Sequence, residues 1–359
     1  MPSGKLLMLV CSVAFAQAPG PEQLFRDAVA AQQRGDDALA IRKYRELLEL
    51  RPDVPEVRAN LGATLAHAGR YDEAIEQYRA ALAKRPGNNE LRFNLALAWY
   101  KKDDLPDAAA ELSSLLQAEP GEARVATLLG DCYSRMGRYK DAIAALGPVE
   151  AAHPDDLTVA WLLGSAMIHD EQAREGLPRV ERAAAAGHNA EAYMLAAQTW
   201  LGLNEFERAN AAADAGIKLN PRLPGLYTLS GKIKQYLGDS AGAKADLEKA
   251  LAADGGDFDA HLTMGAILNA ERDLDGARKH IERALQIQPS STLARYELGR
   301  IERSQGHIEA AVREFETVVK ADPKWLRPHI ELAALYYRLN RPEDGRKERD
   351  IVEKLSAQP

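Results

Sequence analysis

The sequence predicts an all-α protein assembled from about ten helical hairpins. A 34-residue pattern recurs along almost the whole chain, and eight of its nine steps are 34 residues long while one is 33. Two positions of the pattern hold only Ala or Gly, and a third usually holds Pro. Aromatic residues make up only 6% of the chain, which disfavours an all-β protein. The units begin at Pro21, Pro55, Asn89, Ala123, Leu157, Ala190, Pro224, Phe258, Thr292 and Leu326.

The small positions predict that the two helices of each unit pack closely. Antiparallel helices approach each other only where the crossing point carries little side chain, and a larger residue there would be overpacked. The eighth position holds Ala28, Gly62, Ala96, Gly130, Gly164, Ala197, Gly231, Gly265, Gly299 and Ala333. The twentieth holds Ala40, Ala74, Ala108, Ala142, Gly176, Ala209, Ala243, Ala277, Ala311 and Gly345.

Glycine and proline predict where each helix ends. Glycines near the fifteenth position mark the turn between the two helices, because glycine adopts the left-handed backbone most easily. These are Gly35, Gly69, Gly137, Gly238 and Gly306. Proline at the thirty-second position ends the second helix, since proline lacks a backbone N–H and disfavours helical geometry in the residue before it. These are Pro52, Pro86, Pro120, Pro154, Pro221, Pro289 and Pro323, with His188 and Gly255 as exceptions.

The pattern resembles the tetratricopeptide repeat family. Its second unit carries the family signature almost completely, in Leu61, Gly62, Tyr71, Ala74, Tyr78, Ala81 and Pro86. The resemblance covers residues 21–354. It implies a right-handed solenoid of about twenty helices whose first helices line a concave groove, and a protein that binds other proteins.

Two repeats depart from the pattern. The fifth contains Gly176, Pro178 and His188, which predicts either a slightly irregular repeat or a hinge between two halves of the array. We expect Pro178 to be tolerated only near the start of its helix. The last repeat carries Pro342 and Arg349 at normally apolar or small positions, which is typical of a solvent-facing cap.

Residues 1–18 resemble a secretory signal peptide. Lys5 precedes an apolar run from Leu6 to Ala16, which ends in a small-x-small triplet. The run is too short to span a bilayer, which needs about 20 residues. We therefore expect cleavage after Ala16 or Ala18 and a periplasmic or secreted protein without an integral membrane segment. The less favoured interpretations are a core helix and acylation of Cys11.

Composition argues against several function classes. The formal charge of −7 does not favour nucleic acid or an anionic membrane as a partner. Two cysteines are too few for a disulfide framework, and Cys132 lies within a helical repeat as a small core residue would. The histidines show no spacing of three or four residues that would place two ligands on one helical face. Because the repeats leave no room for a catalytic domain, we predict no enzyme activity, no metal site and no cofactor.

Function is therefore expected on the groove, at positions contributed by the first helices. The predicted partner-binding residues are Asn60, Phe93, Asn94, Tyr100, Trp161, Tyr296, Arg300, Arg303 and Arg327. The same positions also include Phe25, Asp131, Gln198, Lys232, Gln235, Asn269 and Tyr337. Aromatic anchors and amides suit a peptide, and a cluster of arginines suits an acidic segment. Packing of Phe93, Trp161 and Tyr296 between repeats is an equally good interpretation of those residues. For the arginines, solvated charge on the helix surface is the more common outcome.

The sequence thus predicts an exported, non-enzymatic scaffold that holds a segment of a cell-envelope protein in its groove. The alternative is a glycan-binding or polymer-export accessory module, in which aromatic and amide side chains face a sugar polymer. Stacking of exposed end repeats can also produce a homodimer.

Overall fold

A computed structural model describes residues 20–357 of the chain. Over this range the protein is all-helical, with twenty α-helices and no strand, which confirms the predicted fold class. The helices are α1 (Pro21–Gln33), α2 (Asp37–Leu50), α3 (Pro55–His67), α4 (Tyr71–Lys84), α5 (Asn89–Lys101), α6 (Leu105–Ala118), α7 (Ala123–Arg135), α8 (Tyr139–Ala152), α9 (Leu157–His169), α10 (Ala173–Gly187), α11 (Ala190–Gly202), α12 (Phe206–Leu219), α13 (Leu226–Tyr236), α14 (Ser240–Ala253), α15 (Phe258–Ala270), α16 (Leu274–Ile287), α17 (Thr292–Gln305), α18 (Ile308–Ala321), α19 (Leu326–Arg338) and α20 (Pro342–Ser356). The predicted signal peptide, residues 1–18, lies outside the described residues.

Nine of the first helices begin at the residue where the sequence pattern starts a unit. The seventh differs, because α13 begins at Leu226 instead of Pro224. Gly225, which precedes it, has a left-handed backbone with φ of 77°. The chain therefore enters this helix two residues late.

The chain divides into two compact units between Asp170 and Glu171, within the fifth repeat. Unit 1 contains α1 to α9, and unit 2 contains α10 to α20. In each unit the first helices of several neighbouring hairpins contact each other directly. For example, α7 contacts α9, and α13 contacts α15. Among residues 20–357, contacts between neighbouring second helices are sparse. The first helices therefore form the inner row of each unit. A hinge in the fifth repeat stays a prediction.

The position of Pro178 within α10 differs from the expectation. Pro178 is the sixth residue of α10, beyond the first turn, and the helix nevertheless continues to Gly187. It ends at His188, whose left-handed φ of 50° closes the helix where other repeats use proline.

The close helix approach has a direct steric cause. A methyl group added to Gly62 would lie 2.8 Å from the ring of Tyr78, sixteen residues later, and one added to Gly265 would lie 2.6 Å from Ile281. Both distances are shorter than the closest approach of two non-bonded carbon atoms. The small residue at the eighth position thus makes room for a large residue on the second helix.

The turn inside every hairpin has one left-handed residue at the fifteenth position. Glycine supplies it in five repeats, and the other five use Asp103, Glu171, Asn204, Arg272 and Asn340. A non-glycine residue in this conformation costs about 1–2 kcal/mol. The hairpin therefore imposes a left-handed backbone at this position even where the residue does not favour it.

A recurring hydrogen-bond pattern, here named the cross-tie, joins the two helices of a repeat to the end of the preceding repeat. The side chain at the fourth position reaches back to the carbonyl oxygen six residues earlier and forward to a side chain of the second helix. Arg58 donates to Pro52 O at 3.0 Å and to Gln77 Oε1 at 2.9 Å. Equivalent cross-ties centre on Arg92, His261, Arg295 and His329. Each cross-tie therefore holds the second helix against the turn that precedes the first helix.

Two further predictions concern single features. Cys132 is a free and fully buried thiol, which confirms its assignment to the core. No helix between residues 20 and 357 combines the length and the apolar character that crossing a membrane requires.

Candidate functional site

The inner face of unit 2 contains a pocket of about 580 Å³. Helices α11 and α13 form its two walls, and Phe206 and the turn before α15 close its ends. Gly225 opens one side, because the position that carries a groove side chain in other repeats has none here. The lining residues are Met194, Gln198, Leu201, Gly202, Asn204, Phe206, Gly225, Thr228, Leu229, Lys232, Tyr236, Asp257 and Asp259.

An exposed aromatic stack lies at one end of this pocket. The rings of Phe206 and Tyr236 are parallel, with centroids 5.1 Å apart. Tyr236 is 57% exposed, which is unusual for so large an apolar surface, and one face of its ring is covered by Phe206. The pair therefore presents a rigid aromatic surface at low entropic cost to a ligand.

The polar groups of the pocket are available to a ligand. Lys232, Gln198 and Asp259 are exposed and have no hydrogen-bond or ion-pair partner in the described part of the chain. Asp257, by contrast, is occupied, since it accepts from the Thr228 hydroxyl at 2.5 Å and caps α15 through Ala260 N at 2.9 Å. The pocket thus offers one ammonium, one amide and one carboxylate beside an aromatic surface. These groups can bind the backbone and side chains of an extended segment.

The predicted groove residues of unit 1 lie on the first helices α3, α5 and α9. Asn94 lines a pocket of about 360 Å³ together with Leu97 and Lys101. Asn60 is half-buried and faces the hydroxyl of Tyr44. The two asparagines therefore stand in different surroundings and do not present a uniform pair. Trp161 is half-buried on α9.

Tyr100 belongs to a polar cluster with its neighbour repeat. Its hydroxyl donates to Asp131 Oδ2 at 2.6 Å, and the Arg135 guanidinium lies 5.1 Å from the ring centroid. Burial, together with the hydrogen bond and charge of Asp131, raises the pKa of Tyr100. Its hydroxyl is therefore already hydrogen-bonded within the chain.

Two predicted anchors are buried instead of presented. Phe93 is 8% exposed, and the guanidinium of Arg124 covers its ring at 4.1 Å. Tyr296 is also 8% exposed and packs between Phe315 and Trp325, with ring centroids at 5.5 and 4.8 Å. Both rings fill space between neighbouring helices, which was the alternative interpretation of the pattern.

The arginine cluster is largely neutralised by acidic neighbours. Arg300 donates to both carboxylate oxygens of Glu297, at 2.9 and 3.0 Å, and Arg303 pairs with Glu331. Arg327 stays exposed. Burial raises the pKa of Glu297, although Arg300 and Arg327 oppose that shift. The structure therefore brings the three arginines together but gives two of them partners within the chain.

Sequence reasoning missed the aromatic stack. Tyr236 stands at the thirteenth position and Phe206 at the seventeenth, next to the turn, and neither position belongs to the set expected to face the groove. Gln198 and Lys232 belong to that set, but spacing gave no reason to prefer them. The glycine at the second position of the seventh repeat is the signal that could have located the pocket.

A larger cavity of about 650 Å³ lies in unit 2 between the second helices α10 and α12, and α11 contributes Tyr193 and Trp200. Trp200 donates from Nε1 to Glu181 at 2.7 Å, and the Arg208 guanidinium lies 4.6 Å from the Trp200 ring. Those polar groups already have partners, and the cavity does not open on the inner face. We therefore place the candidate site at the pocket around Lys232 and Tyr236.

Comparison with known sequences identifies the repeat along much of the chain. Two family models described as tetratricopeptide repeat match, one at residues 65–132, 100–167 and 268–329 and the other at residues 25–89 and 228–292. Together they cover well over half of the chain. No curated protein sequence gives a significant match.

Several solved structures are similar to this chain. The Cut9–Hcn1 hetero-tetramer of the APC/C aligns with a TM-score of 0.54 at 14% identity, over 95% of this chain and 88% of that one. Yeast Tom70 aligns with a TM-score of 0.43 at 14% identity, over 94% and 92% of the two chains. YrrB, described as a TPR protein with an unusual peptide-binding site, aligns with a TM-score of 0.39 at 22% identity, over 49% and 91%. Only the first likeness is close enough to support the fold, and it supports nothing beyond the fold.

Proposed function

Because the chain belongs to the tetratricopeptide repeat family, whose repeats form extended protein-binding surfaces, we propose that it is an exported, non-enzymatic scaffold for another protein of the cell envelope. The partner segment lies on the inner face of unit 2, in the pocket around Gln198, Lys232 and Tyr236. The protein holds this segment in place without chemical change.

The observation that carries the proposal is the accessible aromatic stack beside unpaired polar groups. Tyr236 is 57% exposed, and Lys232 and Gln198 have no partner in the described part of the chain. Such a combination supplies an apolar contact area and directional hydrogen bonds, which together favour an extended peptide. The predicted anchors Phe93 and Tyr296 contribute to packing instead.

A site-specific crosslink tests the position of the partner. A photo-crosslinking amino acid in place of Tyr236 is expected to capture one protein from intact cell envelopes, identified by mass spectrometry. The same amino acid in place of Lys320, an exposed residue of α18 in the same unit, is the matched control. Capture at both positions, or at neither, would remove the pocket from the proposal.

Affinity measurements with the captured partner test the chemistry. Tyr236→Ala removes the outer ring of the stack, and Lys232→Glu reverses the charge of the pocket, so each is expected to weaken binding by at least about tenfold. Lys320→Glu makes the same charge change outside the pocket and should bind normally. The glycan-binding alternative would be supported if the wild type binds a purified envelope glycan and these two variants weaken that binding.

Export is a separate part of the proposal and rests on the N-terminal sequence. Intact-mass measurement of the protein from its native envelope fraction is expected to show a chain that begins at Gln17 or Pro19. A chain that retains Lys5 and is found only inside the cell would contradict export and would leave the binding proposal unaffected.

A further inference from the structure

The cross-tie of the eighth repeat joins two histidines. His261 on α15 and His280 on α16 approach with their Nδ1 atoms 3.0 Å apart, and their ring centroids are 5.1 Å apart. The four other cross-ties pair a cationic or basic side chain with an acidic, amide or hydroxyl side chain. This repeat alone among them places two imidazole nitrogens face to face.

The surroundings fix which nitrogen of His261 carries hydrogen. Its Nε2 lies 3.3 Å from the carbonyl oxygen of Gly255, which can only accept, so Nε2 is the protonated nitrogen. The Nδ1 lone pair of His261 is therefore directed at His280. A ring N–H held by a backbone carbonyl is also the outer-shell contact that orients histidines bound to metal ions.

His280 is half-buried, and its only hydrogen-bond partner in the described part of the chain is His261. In the metal-free pair, His280 donates its Nδ1–H to His261. Moving that proton to its own Nε2 exposes a second lone pair at the same point.

The distance between the two nitrogens matches a shared ion. At metal–nitrogen distances of about 2.0–2.1 Å, two ligands at right angles lie about 2.9 Å apart, and two tetrahedral ligands about 3.3 Å apart. The observed 3.0 Å is a hydrogen-bond distance that is close to the first value and a few tenths of an ångström below the second. Both rings must therefore turn, so that their lone pairs point to one side of the line between the nitrogens, while the separation of the nitrogens changes little. Neutral imidazoles favour Cu²⁺, Ni²⁺ and Zn²⁺ over Mg²⁺ and Ca²⁺.

We propose that His261 and His280 bind one divalent transition-metal ion, which links α15 to α16 through their Nδ1 atoms. No set of three or more His, Cys, Asp or Glu side chains within residues 20–357 is placed to enclose a metal. The ion consequently has two protein ligands, and water occupies its other positions. Copper binds most tightly of the three ions, following the general order of stability for nitrogen ligands. The site is independent of what the inner face of unit 2 binds.

Calorimetric titration tests the proposal with the full chain, produced without a polyhistidine tag. Titration with CuCl₂, NiCl₂ and ZnCl₂ is expected to show saturable binding that is weakened by at least about tenfold in His280→Gln. Glutamine is the matched replacement, because Gln77 occupies the same cross-tie position in the second repeat. His153→Gln, which removes an exposed histidine elsewhere, should bind the metal normally.

Two further measurements protect the result against a folding defect. His261→Gln should show the same loss, with helix content confirmed by circular dichroism for each variant. The Cu²⁺ form should show two coordinated nitrogens by electron paramagnetic resonance. The metal should raise Tm by a few degrees in the wild type and in His153→Gln, but not in the two cross-tie variants. Equal affinity in the wild type and both cross-tie variants, or no binding at about 1 mM metal, would overturn the proposal.

Discussion

Gly130 and Leu146 are in direct contact across the hairpin of α7 and α8. A methyl group placed on Gly130 would lie 2.5 Å from Cγ of Leu146, with both Cδ atoms within 2.8 Å. Leu146 is fully buried, so it cannot swing aside into solvent. The glycine is therefore a steric requirement of this repeat.

Gly130→Ala is expected to lower the free energy of unfolding by about 1–3 kcal/mol, because the added methyl overpacks the core. Urea denaturation followed by circular dichroism measures the change. Gly202→Ala is the control, since Gly202 ends α11 with no neighbouring atom within 4 Å. The control should be neutral or stabilised by up to about 1 kcal/mol, through helix propensity. Equal effects at the two positions would contradict the steric explanation.

Arg272→Gly is expected to stabilise the protein by up to about 1 kcal/mol. Arg272 has a φ of 69°, a conformation that costs a side-chain-bearing residue more than glycine. Gly306→Ala, at the same position two helices later, should destabilise the protein by a similar amount. No atom lies within 4 Å of the added methyl group, so the backbone conformation alone sets this cost. Denaturation midpoints of the two variants check this prediction. A loss of stability in Arg272→Gly would show that the arginine side chain outweighs the backbone cost.

Asp246 should contribute stability that depends on pH. The buried carboxylate accepts from Ser230 at 2.8 Å, Lys234 at 2.5 Å and Lys249 at 3.1 Å. Burial alone would raise the pKa of Asp246, but the bonds from Lys234, Ser230 and Lys249 hold it below its ordinary value. A lowered pKa in the folded state means that the contribution is present at neutral pH and is lost as the pH falls through that pKa.

Asp246→Asn is accordingly expected to cost about 1–3 kcal/mol at pH 7. The difference from wild type should shrink as the pH is lowered below 4, where the carboxylate of the unfolded chain also binds a proton. Urea unfolding of both proteins between pH 7 and pH 2.5 measures this. A difference that stays constant over the range would mean that the charge of Asp246 plays no part.

Cys132 should be unreactive until the chain unfolds. It is fully buried, and burial raises its pKa to about 11, so almost no thiolate is present at pH 8. Native wild type and Cys132→Ser should consume equal amounts of a thiol reagent. After denaturation the wild type should consume one equivalent more. Faster labelling of the native wild type would indicate local opening of α7.

The hairpin register was determined by the sequence alone. Small residues at the eighth position, such as Gly62, and prolines after the second helix, such as Pro86, fix where helices cross and end, because both act through local geometry or direct contact. The candidate site was predicted only in part. Gln198 and Lys232 follow from helical spacing, whereas the stack of Phe206 and Tyr236 does not.

The tertiary structure decided which side chains are available. Phe93 and Tyr296 occupy groove positions by spacing, yet side chains from other parts of the chain cover them. Arg124 covers Phe93, and Trp325 packs on Tyr296, each about thirty residues away in the sequence. Glu331 pairs with Arg303 from the next first helix, whereas Glu297 pairs with Arg300 within α17, three residues away. His261 and His280 are nineteen residues apart, and only the packing of two helices places their nitrogens 3.0 Å from each other. Helical period determines the face of a residue, but contact across helices determines whether that residue is free to bind.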